Sequence, residues 1–147
     1  MNATSIKNSI LAVLAAIGSF IANQLGGWDA ALAVLVAFMA LDYSTGVILA
    51  LVFHKSRKTD GGGLSSAAGL KGLVRKGVIL LVVWVAALLD QLTGVGYVRT
   101  AVILFFIANE GLSILENVGL MGVPLPAFLR RALEAMREKN DDPDADK

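Results

Sequence analysis

The chain has 147 residues, of which 56% are hydrophobic, and a mean hydropathy of +0.68. Soluble domains are about 45–50% apolar, so this composition points to a membrane protein. The net charge of +1 identifies no partner, and with no cysteine both a disulfide framework and a thiolate metal site are excluded. The single histidine, His54, ends an apolar run beside Lys55, Arg57 and Lys58, and is read as an interfacial residue, not as a catalytic base.

A helix needs about 20 mostly apolar residues to cross a hydrocarbon core about 30 Å thick. Four stretches qualify. The first is residues 6–25, where Ala15, Ser19 and Ala22 recur at three- and four-residue spacing and permit close helix approach. Lys7 before an apolar run resembles a signal peptide. A cut after Ala22, however, would put bulky Phe20 where a small residue is needed. The stretch is therefore read as a retained span or an anchor helix in the bilayer.

Gly26 and Gly27 interrupt the pattern, and Trp28 suits headgroup depth. Residues 28–53 reach about 39 Å as a helix, enough to cross with tilt. Asp42 lies near the middle as a buried intramembrane acid, and Thr45, Gly46 and Ala50 extend a small, polar face from it. The polar, glycine-rich "HKSRKTDGGGLSSAAGLKGLVRK" from His54 to Lys76 reads as a flexible loop. Its glycines lack the preceding strand and the GK[ST] or GxGxxG pattern of a phosphate cradle.

The third stretch is residues 73–92, with Lys71, Arg75 and Lys76 at one end as snorkelling anchors and Asp90 and Gln91 at the other. "TGVGY" is a short turn, and residues 98–123 form the fourth stretch. Pro124 and Pro126 stop that helix and open another. Over residues 124–139, Phe128, Leu129, Ala132, Leu133 and Met136 give one apolar face, and Arg130 and Glu134 form an i,i+4 pair. This predicts a short amphipathic helix on the cytoplasmic membrane surface, followed by a disordered acidic tail at 140–147. The fold expected is all-α: a multi-span membrane domain over residues 1–123 with four transmembrane helices, alternatively three.

If all four stretches cross, every lysine and arginine except Arg99 falls on one face of the membrane. Basic residues favour the cytoplasm, so both termini are expected there, with Lys55, Arg57, Lys58, Lys71, Arg75 and Lys76 as anchors. The N-terminus is placed by Lys7 alone, which is why three spans are the alternative.

The fourth stretch carries Asn109, Glu110, Ser113, Glu116 and Asn117 inside an apolar run. At about 100° per residue all five fall within one arc of about 120°. Together with Asp42, the two glutamates would cost roughly 7–10 kcal/mol if left in lipid. Arg99 lies about 16 Å along the axis from Glu110, so basic partners are scarce. The stripe must face other helices, water or both: as glue between helices, or as the wall of a water-filled passage. Paired carboxylates also serve glycoside hydrolysis, but nothing here builds a sugar cleft.

"ALDYSTG" (Ala40 to Gly46), "LSSAAGLKGLVRK" (Leu64 to Lys76), "LLDQL" (Leu88 to Leu92) and "FFIANEGLSILENVGLMGVPLPAFL" (Phe105 to Leu129) together resemble the phage holins of the toxin-secretion and phage-lysis type, a family that includes holin-like proteins coded beside clostridial toxins. The resemblance covers about residues 28–139. It implies a small protein of the bacterial cytoplasmic membrane that accumulates as a homo-oligomer. At a set time it opens lesions that release or activate a cell-wall-degrading endolysin, without direct binding to that enzyme. In relatives it implies protein export without a signal peptide.

The residues fit such a role without chemistry: no nucleophile–base pair, cofactor site or nucleic-acid surface is evident. A hole needs one face for lipid and one for water, which the fourth stretch supplies, and the small residues Ala15, Ser19, Ala22, Gly46 and Ala50 supply close helix packing. Two rival readings are an ion or proton channel using Asp42, Asp90, Glu110 and Glu116 as a relay, and a structural subunit of a membrane complex. A relay transporter would carry inverted repeats, and no convincing internal repeat is present.

Overall fold

The computed structural model describes residues 2–131. Among them there is no strand, and four helices are long and apolar enough to cross a membrane. They are α1 (Ala3–Gln24), α2 (Ala30–Ile48), α3 (Ser66–Thr93) and α4 (Val98–Leu120). A five-residue π-helical segment, Leu49–Phe53, prolongs α2 to His54, which takes the left-handed conformation at φ 52°.

Local chemistry sets the ends. The Asp29 carboxylate accepts from Leu32 N at 2.9 Å and starts α2. Ser65 caps α3 by accepting from Ala68 N at 3.5 Å. Gly94, at φ 70°, closes α3 by donating to the Asp90 carbonyl at 2.8 Å. The Asp90 side chain then reaches over the turn and accepts from Val98 N and Arg99 N, each at 2.9 Å, so one carboxylate seats the first turn of α4.

α4 packs chiefly against α2 and then α3, giving a three-helix bundle. Leu32, Leu35 and Met39 of α2, Ile79 and Val83 of α3, and Ile103 of α4 fill its core, with Leu25 beneath. The buried positions recur every three or four residues on α2 and α3, one face of each helix. The outer faces stay apolar and exposed, as at Leu51, Val52, Leu81, Leu104 and Phe105, which is the surface a bilayer solvates. α1 buries none of its residues: Ala15 and Ser19 are exposed and Ala22 is half-buried.

Two expectations change. The helical part of α3 begins at Ser66, well before residue 73, because Ser65 supplies a cap and "SAAGL" continues as helix. The joining loop is correspondingly shorter, and it folds on itself: Ser56 N donates to the Gly62 carbonyl at 2.9 Å and Thr59 Oγ1 to the Gly63 carbonyl at 2.8 Å. Gly62, at φ 71°, lies so close to the His54 carbonyl that a Cβ there would sit 2.1 Å from the oxygen. Residues 127–131 are helical after Pro126. The remainder of the expected amphipathic helix, and the tail at 140–147, lie outside the described residues.

Candidate functional site

The face that α4 turns inward carries Arg99, Ile103, Glu110 and Asn117, all buried. Glu110 meets Lys76 of α3, whose ammonium donates to Glu110 Oε2 and, at 2.8 Å, to Asp42 Oδ2 of α2. Three helices thus converge on one ionic cluster, in which the side chains are 8% (Asp42), 11% (Lys76) and 3% (Glu110) exposed. Asn117, two turns on, donates to Thr45 Oγ1 at 3.0 Å and reaches the Asp42 carboxylate and carbonyl at 3.4 Å. Thr45 Oγ1 itself donates to the Asp42 carbonyl at 3.0 Å. Among the described residues no buried side-chain nitrogen or oxygen lacks a partner.

Taking charges out of water costs several kcal/mol per ion, which only good pairing offsets. Here the pairing is two carboxylates on one ammonium. Removing the ammonium would strand both acids in a low-dielectric interior.

Lys76 was expected among the cytoplasmic anchors. It is instead the buried centre of the cluster, because α3 starts at Ser66 and places Lys76 about 15 Å along the helix from that start. It is also the basic partner of Glu110 that the sequence reading does not supply. Lys55, Arg57, Lys58, Lys71 and Arg75 are exposed. Arg57 Nη1 pairs with Glu116 Oε1 at 3.0 Å, each side chain about half exposed, an ion pair of a kind worth about 0–1 kcal/mol.

The five-residue stripe of α4 therefore divides. Glu110 and Asn117 point into the bundle, Asn109 and Ser113 are half-buried, and Glu116 is exposed at the loop. Of the small residues of α2, Gly46 lies under Asn117, where a Cβ would be 3.7 Å from Nδ2, and Ala50 is buried. Gly111 receives the Phe38 ring, with 3.3 Å from a Cβ to the ring edge.

At the other end of the bundle Arg99 is buried among acceptors. It donates from Nε to the Leu25 carbonyl, from Nη2 to the Gly27 carbonyl at 2.9 Å, and from Nη1 to Asp29 Oδ2 at 2.6 Å. Gly26, at φ 90°, makes room: a Cβ there would lie 2.7 Å from Arg99 Nε. The hydrogen bond from Arg99, then that from Leu32 N, hold the Asp29 carboxyl below its ordinary 3.8. Sequence reasoning left Arg99 as a solitary outer cation and gave Asp29 no role. The usable signal was Asp29 directly before an apolar helix, an N-cap pattern.

Among the described residues no group of three His, Cys, Asp or Glu could hold a metal ion. The arrangement offers no nucleophile set beside a base. What it can do is hold α2, α3 and α4 together through polar contacts that would be costly to break inside a membrane.

Comparison with known proteins adds a second line of observation. Residues 19–138 match the model of the bacteriophage holin family. An uncharacterised protein of Clostridium perfringens strain 13 is 45% identical over 118 residues, covering 79% of this chain and 82% of its own. A second C. perfringens protein, from the region 3′ of nagH, is 40% identical over 137 residues, covering 92% of this chain and 98% of its own. A probable holin of Bacillus phage phi105 is 40% identical over 102 residues, 69% of this chain and 70% of that one. No solved structure matches.

Proposed function

The chain belongs to the bacteriophage holin family, and from that membership we propose that it oligomerises in the bacterial cytoplasmic membrane and opens non-specific holes through which endolysin reaches the cell wall. Membership points to a non-enzymatic membrane protein, and the four apolar helices to a multi-pass one. The basic residues of the α2–α3 loop, Lys55, Arg57 and Lys58, support a cytoplasmic side for that loop and with it for the C-terminus.

The observation that carries the reading is the inward face of α4. A hole wall needs polar side chains, and a chain waiting in lipid must hide them. Glu110 and Asn117 are hidden against Asp42, Thr45 and Lys76, while the outer faces are apolar. The bundle is thus the closed form. In the open form α4 turns this face, together with the half-buried Asn109 and Ser113, toward a lumen shared by several copies. The small-residue stripe of α1 and its unburied apolar surface serve the contacts between copies.

Inducible expression beside a matched endolysin tests the reading. Abrupt loss of membrane potential with release of a large cytoplasmic reporter is expected. Permeation of protons alone would instead support a channel or transporter, and unchanged permeability a structural subunit.

A further inference from the structure

α2 and α3 both pack on α4 but touch one another little, and a cleft of about 50 Å³ remains between them beneath the loop that joins them. Its walls are mostly carbon: Gly46, Val47 and Ala50 on the α2 side, Ala68, Gly69 and Gly72 on the α3 side. Small residues on both sides leave it unfilled. Tyr43 lies along the α3 wall, with a ring carbon 3.8 Å from where a Cβ of Gly72 would be and the hydroxyl 3.4 Å from that of Gly69. Its polar tip therefore points toward the loop.

Burial grades along the cleft. Lys58 and Leu64 at the mouth are exposed, Gly46 and Gly69 are half-buried, and Asp42 and Lys76 at the floor are buried. From Ser65 to Lys76 α3 advances about 16 Å, so the cleft runs from the loop into the hydrocarbon layer. At the floor Lys76 donates to Asp42 Oδ2 at 2.8 Å, and among the described residues no buried side-chain nitrogen or oxygen lacks a partner. The floor therefore calls for no polar guest. The mouth differs. The Lys58 ammonium pairs with no acid among the described residues. The Ser56 and Ser65 hydroxyls accept from Lys58 N at 3.3 Å and Ala68 N at 3.5 Å, and each keeps its own proton to donate. The loop around them is basic, with Lys55 and Arg57 as well as Lys58 against Asp60 alone.

We infer that the α2–α3 cleft binds an anionic phospholipid of the leaflet that meets the loop. Lys58, Ser56 and Ser65 hold the phosphate, and one acyl chain lies against Gly46, Ala50 and Gly72. Basic pockets between membrane helices take anionic headgroups in this way. A helix, about 10–12 Å across with its side chains, is too wide to enter a cleft of this size, whereas a single chain is not. The chain supplies the contacts that an empty cleft forgoes, and the headgroup ties the loop to the start of α3. The inference stands on the cleft and its mouth, whether or not copies of the chain open a hole.

Native mass spectrometry of the full-length protein in detergent tests this, with phosphatidylglycerol and phosphatidylcholine of equal chain length as probes. Phosphatidylglycerol is expected to be retained in preference. Its retention should fall about fivefold in Lys58→Gln and far less in Lys55→Gln, whose side chain belongs to the same loop but does not line the cleft. Inorganic phosphate, which brings no chain, should not displace it. In liposomes, phosphatidylglycerol carrying a photoreactive diazirine on one acyl chain is expected to cross-link to residues 43–50 and 65–76 ahead of the other lipid-facing segments. Equal retention of the two lipids, equal losses in the two variants, or displacement by inorganic phosphate would each overturn the inference. So would cross-links spread evenly over the helices, or dimers that exclude the lipid because a second copy covers the cleft. The cross-linking uses the native sequence and decides even if a variant fails to fold.

Discussion

At the scale of single residues, Lys76 is the side chain on which most depends. Its ammonium joins Asp42 and Glu110 across three helices. Lys76→Met is expected to destabilise the folded protein by about 3–5 kcal/mol, since it leaves buried charge unpaired. Adding Asp42→Asn and Glu110→Gln to Lys76→Met should recover most of that loss, and thermal unfolding in detergent measures both. Arg57→Ala should cost under about 1 kcal/mol, because its pair with Glu116 is half in water. Asp29 gives a dependence on pH. Its folded-state carboxyl titrates below 3.8, so its pairing with Arg99 stabilises above that pH and the contribution fades as pH falls through the lowered value. The gap in melting temperature between the native chain and Asp29→Asn is therefore expected to be widest at neutral pH and to close in strong acid.

At the scale of elements, the joints matter more than the helices. Gly26 bends the α1–α2 connection at φ 90° and leaves space for Arg99. Gly26→Ala adds a left-handed cost of about 1–2 kcal/mol before any displacement of the guanidinium, and should loosen α1 from the bundle. Faster hydrogen exchange confined to residues 22–29 would reveal this. The helices themselves were legible in the sequence, because spans of this length and apolarity have few other structures open to them. The period of α4 brings Glu110 and Asn117 onto its buried face, but Glu116, expected on the same arc, lies exposed beside Arg57. Lys76 was not legible, because a basic residue near an apolar run is ordinarily a headgroup anchor. Only the Ser65 cap shows that the helix has already run two turns and more before reaching it. Arg99 was missed for a related reason: its acceptors are backbone carbonyls of a distant turn, which no side-chain pattern announces.

For the whole molecule, the proposed function requires a bundle that keeps the inward face of α4 hidden until a hole opens. Glu110→Gln leaves Asp42 and Lys76 as a balanced pair, which should steady the closed form and delay lysis while insertion is unaffected. Glu116→Gln, at the exposed edge, should change timing little, so the double variant should behave like Glu110→Gln alone. A time course of culture density after induction separates these. The most direct test fixes α4 to α2. Phe38 and Gly111 touch across that interface, next to Glu110 on α4 and one turn from Asp42 on α2, without belonging to the ionic cluster itself. With both changed to cysteine and joined by a short reducible linker, the protein should insert and accumulate but fail to depolarise the membrane, and reduction should restore lysis within the same culture. Lysis on schedule with the linker intact would contradict the claim that α4 must leave α2 for a hole to open.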